Sequence, residues 1–505
     1  MVLVAWTKCF VVKCLLVGCL AVQVMAQSNN YFPQQRWRFS TPEAQGMDSA
    51  PLAEMFDYVA KNRVNVHSIQ IVRHGYVVLD AYFYPFPHHS LHDVASVTKS
   101  VTSGVVGIAV NGGFLKSVNQ PVLEFFPDRQ FANVDARKRA MTLEHLLTMA
   151  SGLDCGYQRG EPELAAMLRT NGFIQYVLDL PMREEPGRRF AYCSGNFHLL
   201  SAVLTKATKQ SEVDFARQRL FEPLGIRDAD WSADREGITH GWGDLHLKPL
   251  DMARIGYLYL QGGRWNGRQI IAEDWIDRST HLQTKPARGD GYGYGWWISN
   301  SLPGLYEALG RGGQRISVLK EKDMVVVFTG GEFEPGNLAP FLLGALKSDR
   351  PLPDNPAAYQ RLQNRVAAAA KPPSPSKIEF WSPVAAKVSG KEYRLDTNSL
   401  ALNSVRLQFR KKGRGEIALS LPNRRIVVPI GFDGVYRMGT DSATKFPIGG
   451  KGVWRSENEL DIELNFIAKI NRYNLNLRFE GNQVVLQIKE ATGLTNESVT
   501  GIALK

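Results

Sequence analysis

Two stretches of alternating apolar and polar residues, far apart in the chain, predict the strands of a first sheet. Residues 68–84, SIQIVRHGYVVLDAYFY, contain two β-branched runs on either side of His74-Gly75, which predicts a β-hairpin. Residues 316–329, ISVLKEKDMVVVFT, contain two further runs around a charged turn. Between them, from 142 to 226, apolar residues recur with helical spacing. Strands at both ends with helices in between predict an α+β domain, in which one antiparallel sheet is closed by distant segments and flanked by helices.

A proline-rich segment follows this domain. The sequence DNPAAYQRLQNRVAAAA predicts a helix with Asn355 as its cap and Pro356 at its first position, and KPPSP comes directly after it. Residues 351–380 are therefore predicted to be a helix and a linker. The first domain is assigned to residues 27–350.

Beyond the linker the chain alternates apolar and polar residues regularly, the pattern of strands with one face in a core. The alternation is clearest in VRLQFR, EIALSL, ELDIELNF, YNLNLRF and VVLQIK, and Gly481-Asn482 joins the last two as a tight hairpin. Residues 381–505 are predicted to be a separate all-β domain, either a sandwich or a small barrel. They contain no cluster of acids, histidines or cysteines that would indicate chemistry.

Residues 1–26 have the pattern of an export signal. Lys8 and Lys13 precede an apolar run that ends at VMA, a small-residue cleavage pattern, so the mature chain is expected to begin at Gln27. An uncleaved anchor and a lipoprotein box at LVGC are the less favoured alternatives. We expect an exported protein, either periplasmic or secreted.

The two cysteines outside this signal are Cys155 and Cys193. An oxidising compartment would allow a disulfide between them, but their spacing does not show whether they meet. A disulfide and two free thiols therefore both stay open.

The positive charge is concentrated at the end of the chain. The formal net charge is +11, and residues 381–505 hold 19 Lys and Arg against 12 Asp and Glu. This excess suits an anionic surface such as the cell envelope or a membrane. The run RKKGR at 410–414 is more typical of a solvated hairpin edge, and no nucleic-acid motif accompanies it.

Ser96 is the candidate nucleophile because of the helix that it opens. The motif Ser-x-x-Lys alone decides nothing, since it begins at Ser96, Ser317, Ser374 and Ser442. Only the first of these opens an amphipathic helix, SVTKSVTSGVVGIAVNGG, in which the i to i+3 spacing places Lys99 on the same face as the serine. A desolvated lysine can act as the base for a serine, and a helix start offers unpaired N–H groups to an oxyanion. The alternative is that Ser96 only caps the helix.

The order of seven segments resembles the serine β-lactamase and penicillin-binding-protein superfamily, in particular its class C β-lactamase-related branch of esterases and aminohexanoate-oligomer hydrolases. The segments are HDVASVTKSV, TLEHLLTMASGL, RRFAYCSGNFHLLSAVL, FEPLGI, PLDMARIGYLYLQGGRWNGRQII, DGYGYGWWI and GRGGQRISV. They span nearly all of residues 68–331. The resemblance implies a β-lactamase/transpeptidase-like fold with a helical subdomain. It also implies a serine hydrolase that forms an acyl-enzyme and needs neither a metal nor an organic cofactor.

The resemblance implies catalytic roles for the matching residues. Ser96 would be the acylated nucleophile and Lys99 its proton acceptor. Tyr192 falls on the family's catalytic tyrosine, which passes a proton to the leaving group. The backbone N–H groups of Ser96 and Gln314 would form the oxyanion hole.

Five further residues would contact the substrate, namely Ser194, Tyr292, Arg311, Gly312 and Gly313. Two motifs depart from the class C pattern, because Tyr192-x-Ser194 replaces Tyr-x-Asn and Arg311-Gly312-Gly313 replaces Lys-Thr-Gly. These departures argue against β-lactams and favour a small carboxylic ester or a short peptide-like amide. Arg311 would bind a substrate carboxylate through its fork of donors, and the glycines would allow a close approach.

Two other interpretations compete with the hydrolase. His88, His89, His92 and Asp93 lie within six residues and suggest a metal site, but no further ligand pattern follows them. A non-catalytic envelope protein of the same fold, which binds peptidoglycan fragments or a protein partner, is the stronger alternative because the third motif is altered.

Overall fold

The computed structural model describes residues 32–33, 36–88, 90–156, 161–411 and 413–504. The predicted export signal at residues 1–26 lies outside the described residues. No helix within these ranges is both long enough and apolar enough to cross a lipid bilayer.

The described residues form helices in both parts of the chain and strands in four sheets. The helices are α1 Ser49–Asn62, α2 Val97–Asn111, α3 Ala136–Ala140, α4 Leu143–Leu147, α5 Pro162–Met167, α6 Phe173–Asp179, α7 Ser194–Thr208, α8 Glu212–Ala216, α9 Glu222–Leu224, α10 Pro249–Leu260, α11 Glu273–Thr280, α12 Ala339–Ala345, α13 Pro356–Ala369 and α14 Val384–Val388. The strands are β1 Val66–Arg73, β2 Tyr76–Tyr82, β3 His92–Asp93, β4 Asp230–Trp231, β5 Leu245–Leu247, β6 Arg264–Trp265, β7 Arg268–Gln269, β8 Gly291–Tyr292, β9 Trp297–Ile298, β10 Leu305–Gly310, β11 Gln314–Leu319, β12 Met324–Gly330, β13 Glu392–Leu395, β14 Ser404–Lys411, β15 Arg414–Leu421, β16 Arg424–Gly431, β17 Arg437–Thr440, β18 Pro447–Trp454, β19 Glu459–Phe466, β20 Arg472–Glu480, β21 Gln483–Glu490 and β22 Asn496–Ala503.

A seven-stranded antiparallel sheet is the frame of the first domain. Its strand order is β2-β1-β12-β11-β10-β9-β8. The predicted hairpins are both present, and Ile69 of β1 lies opposite Phe328 of β12. The prediction of one antiparallel sheet closed by distant segments is confirmed.

Helices cover both faces of this sheet because successive residues of each strand point to opposite sides. Val325 and Val327 of β12 join the core that contains apolar residues of α2, α7 and α10. Val326 and Phe328 join a second core with residues of α1, α12 and α13. The N-terminus of α2, where Ser96 lies, is thus held by a packed layer against the sheet.

The C-terminal domain is a closed sheet, a nine-stranded barrel formed by β13–β16 and β18–β22. A parallel contact between Gly431 and Lys451 closes it, and β17 pairs with β18. Leu477 and Leu486 are buried in its interior. The all-β prediction is confirmed, and of its two alternatives the structure shows the barrel.

The helix predicted in the linker is α13. The side chain of Asn355 accepts a hydrogen bond from the N–H of Ala358 at 3.2 Å, as expected of a cap. Arg361 and Arg365 both pair with Asp57 of α1 at 2.8 Å, so α13 packs on the first domain. The domain boundaries assigned from the sequence stay predictions.

Candidate active site

A strained turn at the start of α2 positions Ser96. Ser96 is the N-cap residue of α2, but its side chain makes no capping hydrogen bond. Ala95 adopts a left-handed conformation with φ of 48°, and its N–H donates to Oδ1 of Asp93 at 2.8 Å. Because that conformation is unfavourable for a residue with a Cβ, the hydrogen bond helps to hold the turn. The hydroxyl of Ser96 is half-buried and does not serve the helix as a cap.

Lys99 lies one helical turn after Ser96 and reaches its hydroxyl. The Nζ of Lys99 donates to Oγ of Ser96 at 2.8 Å and to the carbonyl of Trp242 at 2.9 Å. The lysine is only 1% exposed, and both of these acceptors are uncharged oxygen atoms. When the amine is uncharged, the same short contact lets it accept the proton of the serine.

Tyr192 approaches Lys99 from the segment that precedes α7. The centroid of its ring lies 4.9 Å from Nζ of Lys99. The ring also stacks on Trp297, with centroids 6.1 Å apart and 19° between the planes. The N–H of the preceding Ala191 donates to the carbonyl of Met149 at 2.7 Å and anchors the segment. The structure thus brings together the hydroxyl of Ser96, the amine of Lys99 and the ring of Tyr192, the three residues that the sequence assigns to catalysis.

A disulfide and a partly buried hydrogen bond fix the residues that follow Tyr192. Cys155 and Cys193 form a disulfide with a Cα–Cα distance of 5.6 Å, which settles the pairing that the sequence left open. Ser194 is the first residue of α7 and is 3% exposed. Its hydroxyl donates to Oε1 of Glu161 at 2.8 Å, so the group predicted to contact the substrate is engaged with that carboxylate.

Gln314 holds the turn between β10 and β11. Its Nε2 donates to the carbonyls of Arg311 at 3.0 Å and Gly330 at 2.6 Å, and its Oε1 accepts from the N–H of Gly330 at 3.1 Å. The residue is 1% exposed. The side chain therefore fastens the turn to β12. The oxyanion role predicted from the sequence concerns the backbone N–H of Gln314, not its side chain.

Arg311, in that turn, points to the barrel. Its Nη1 donates to the hydroxyl of Thr492 and lies 4.0 Å from Oε1 of Glu490, which is 0% exposed. The sequence predicts a substrate carboxylate as the partner of Arg311. In the structure its guanidinium meets a hydroxyl and a carboxylate of the barrel.

The two glycines after Arg311 are required by close packing. Gly312 and Gly313 have φ angles of 82° and 96°. A Cβ on Gly312 would collide with Ile470 of the barrel, and one on Gly313 would lie 2.6 Å from the ring of Phe333. The sequence predicts that these glycines allow the acyl group of a substrate to approach closely, and this stays a prediction; the groups that lie close to them in the structure belong to the protein itself.

The prediction that Tyr292 lines the substrate cleft is corrected. Tyr292 is 1% exposed, and its ring packs edge-on against Phe190 at 5.4 Å and Trp297 at 5.0 Å. Burial, with a smaller effect of Tyr192 and Glu161, raises the pKa of Tyr292 well above its usual value. Trp297 is only half-buried and presents its ring beside Tyr192. Tyr292 is thus a buried packing residue, and Trp297 is the partly exposed ring that lies beside Tyr192.

The histidines near Ser96 form a buried, uncharged pair. Nδ1 of His67 and Nε2 of His92 lie 2.8 Å apart, and Nδ1 of His92 lies 2.8 Å from the carbonyl of Asp93. Burial lowers the pKa of His92 to about 4 and that of His67 well below its usual value. His89 lies outside the described residues. Within the described ranges, no three histidine, cysteine or acidic residues come together as metal ligands.

The motifs at these positions match a known protein family over more than half of the chain. The model of the Beta-lactamase family matches residues 53–338. The chain belongs to the β-lactamase family. The superfamily resemblance inferred from the sequence is thereby confirmed.

The named relatives of this β-lactamase-family chain include an aminohexanoate-dimer hydrolase and an esterase. A 6-aminohexanoate-dimer hydrolase of Paenarthrobacter ureafaciens is 23% identical over 278 residues, which cover 51% of this chain and 70% of the relative. Esterase EstB of Burkholderia gladioli is 26% identical over 235 residues, which cover 42% of this chain and 60% of the esterase. These relatives support a hydrolase.

A solved structure supports the fold. EstCE1, described as a hydrolase with promiscuous acyltransferase activity, superposes with a TM-score of 0.51 and 16% sequence identity. The superposition covers 59% of this chain and 99% of EstCE1. The β-lactamase/transpeptidase-like fold expected from the motifs is confirmed.

Sequence reasoning missed several residues of this β-lactamase-family site. Trp242 supplies a carbonyl to Lys99 although 143 positions separate them, and Glu161 holds Ser194 from 33 positions away. Contacts over such separations leave no periodic signal in one sequence. Trp297 has a detectable signal, because it directly follows the alternating aromatic residues and glycines that include Tyr292.

Proposed function

We propose that this protein is a serine hydrolase that cleaves an ester or an amide through an acyl-enzyme on Ser96. The observation that carries the proposal is the 2.8 Å hydrogen bond between Nζ of Lys99 and Oγ of Ser96. A serine needs a base within hydrogen-bond reach to become a nucleophile, and Lys99 is the titratable group that meets this requirement.

In the proposed acylation, the uncharged amine of Lys99 takes the proton of Ser96 while Oγ attacks the substrate carbonyl. The backbone N–H groups of Ser96 and Gln314 stabilise the oxyanion, helped by the positive end of α2. Tyr192 passes a proton to the alcohol or amine that leaves. Water then attacks the acyl-enzyme by the reverse sequence of proton transfers, which releases a carboxylic acid and restores Ser96.

The proposed substrates are small carboxylic esters and short linear amides, with β-lactams least favoured. Support comes from the sequences Tyr192-x-Ser194 and Arg311-Gly312-Gly313, which differ from the class C pattern. The named relatives support the same range, because they include an esterase and a hydrolase of an aminohexanoate dimer.

We also propose that the protein is exported to an oxidising compartment. The disulfide between Cys155 and Cys193 supports this proposal, because disulfides persist mainly in exported proteins.

A substrate panel tests the proposed reaction. Nitrophenyl esters of short acids, an aminohexanoate dimer and a chromogenic cephalosporin are assayed with the wild type, Ser96→Ala and Lys99→Ala. We expect hydrolysis of an ester or the linear amide, and a loss of at least about a thousandfold in kcat/KM in both variants.

The chain supplies a matched control for this panel. Ser374 and Lys377 have the same i to i+3 spacing and lie exposed in the linker, so Ser374→Ala and Lys377→Ala should retain full activity. Hydrolysis by the wild type that persists in Lys99→Ala would contradict the proposed mechanism. A wild type that turns over no ester or amide would favour the non-catalytic envelope protein.

A further inference from the structure

The barrel contains a partly open cavity of about 280 Å³. Most of its lining is apolar and belongs to the buried core of the barrel, including Leu419, Ile448, Leu475 and Ile488. Its volume lies close to the lower end, about 300 Å³, of the range for small-molecule sites. A closed barrel of this size can hold one small ligand in its interior.

The polar residues of the cavity gather at one end of the barrel. Arg424 begins β16, Asp441 follows β17, and Lys469 lies in the turn between β19 and β20. The strands β16 and β18 are parallel, so they start at the same end of the barrel. The strands β17 and β19 are antiparallel to β18, so both finish at that end, and β20 starts there. The cavity therefore has an apolar interior and a charged mouth.

Lys469 lies at this mouth with no direct ion-pair partner among the described residues. Arg424 pairs with Asp441 at 3.1 Å, and Asp441 is only 2% exposed, so that pair is internally satisfied. Lys469 is half-buried, and the carboxylate of Asp244 in the first domain acts on its ammonium electrostatically without forming an ion pair or a hydrogen bond with it. A half-buried ammonium in this position attracts an anionic group, because a charge removed from water is stabilised by a paired opposite charge.

We propose that the barrel binds an aliphatic carboxylate, with its hydrocarbon chain in the cavity and its carboxylate on Lys469. The apolar lining provides the affinity for the chain, and the ammonium of Lys469, which has no direct ion-pair partner among the described residues, selects the anionic head. The volume favours a chain of short to medium length, such as that of octanoate or decanoate. None of the residues that line this cavity belongs to the candidate active site, and the proposal does not depend on the proposed reaction.

Calorimetric titration of the full chain with decanoate tests the proposal. We expect saturable binding of one decanoate per chain, and weaker binding of decanol, which has no charge. Lys469→Gln should weaken decanoate binding by about tenfold or more and leave decanol unchanged. Lys489→Gln is the matched control, because it removes the same charge from the exposed outer side of the barrel and should bind as the wild type does.

A second variant locates the chain within the barrel. Ile488→Phe enlarges a side chain that is 0% exposed and lines the cavity, so it should abolish binding of both decanoate and decanol. The melting temperature of each variant is measured to confirm that the barrel remains folded. The absence of saturable binding to the wild type, or binding that survives both Lys469→Gln and Ile488→Phe in folded protein, would overturn the proposal.

Discussion

The backbone N–H of Asp93 donates a hydrogen bond to the carbonyl of Ala468 across 2.8 Å. Ala468 lies in the turn between β19 and β20 of the barrel, and the side chain of Asp93 accepts from the N–H of Ala95 at 2.8 Å. One residue therefore connects the barrel to the strained turn that precedes Ser96. We conclude that the barrel is part of the framework that holds the candidate nucleophile.

Removal of the Asp93 carboxylate should loosen this turn. Asp93→Ala leaves the N–H of Ala95 without its acceptor, and we expect a loss of about 0.5–2 kcal/mol in the free energy of unfolding together with a lower kcat. Asp93→Asn keeps an oxygen acceptor and should lie close to the wild type. Guanidinium denaturation and ester hydrolysis measure the two effects. An equal loss of unfolding free energy and of kcat in both variants would show that the charge of Asp93, and not this hydrogen bond, stabilises the turn.

The disulfide should stabilise the segment that carries Tyr192. The double variant Cys155→Ala/Cys193→Ala is expected to lose about 2–4 kcal/mol in the free energy of unfolding, because the open loop gains conformational freedom in the unfolded chain. The midpoint of guanidinium denaturation measures the loss, and reduced wild type serves as the control. Identical midpoints for oxidised wild type and the double variant would contradict a disulfide in solution.

A double-mutant cycle on Arg311 and Thr492 distinguishes two roles of the arginine. If Arg311 holds the barrel, the two alanine substitutions should be coupled by about 1 kcal/mol in the free energy of unfolding. Each of the two substitutions should then change the KM for an anionic ester and the KM for a neutral ester to the same extent. The sequence predicts instead that Arg311 binds a substrate carboxylate. In that case Arg311→Ala should raise KM for the anionic ester but not for the neutral ester, and Thr492→Ala should change neither.

Glu212 should make the folded protein less stable as the pH rises. Its carboxyl is fully buried, and burial raises its pKa from 4.5 to about 7. Between these two values the unfolded chain loses this proton while the folded protein keeps it, so the free energy of unfolding falls as the pH increases. The fall is on the order of 3 kcal/mol and ends slightly above pH 7.

The isosteric variant Glu212→Gln isolates this effect. Its amide does not titrate, so its melting temperature relative to the wild type should rise between pH 5 and pH 8. Glu222→Gln, at an exposed position nearby, is the control and should follow the wild type at every pH. A constant difference between Glu212→Gln and the wild type across this range would contradict a raised pKa.

Features that depend on local sequence were predictable from one chain. The hairpin at His74-Gly75, the cap at Asn355 and the hairpin at Gly481-Asn482 are each determined by neighbouring residues. The contact between Ser96 and Lys99 is of the same kind, because one helical turn brings the two side chains together.

Features that depend on tertiary packing were not predictable. The alternation of aromatic residues with glycines around Tyr292 does not reveal which ring is covered, and the strand there is only two residues long. The motif at Arg311 indicates a cation near the site. It does not show that Thr492, 181 positions later, takes up its guanidinium.

Covalent labelling of Ser96 tests the central claim most directly. The wild type, Ser96→Ala, Lys99→Ala and the linker control Ser374→Ala are treated with an activated phosphonate, and the adduct is located by mass spectrometry of the intact protein and its peptides. We predict one adduct on Ser96 in the wild type and in Ser374→Ala, none in Ser96→Ala, and a much slower reaction in Lys99→Ala. Labelling of Ser96→Ala at the wild-type rate, or an adduct on any other residue of the wild type, would contradict the account.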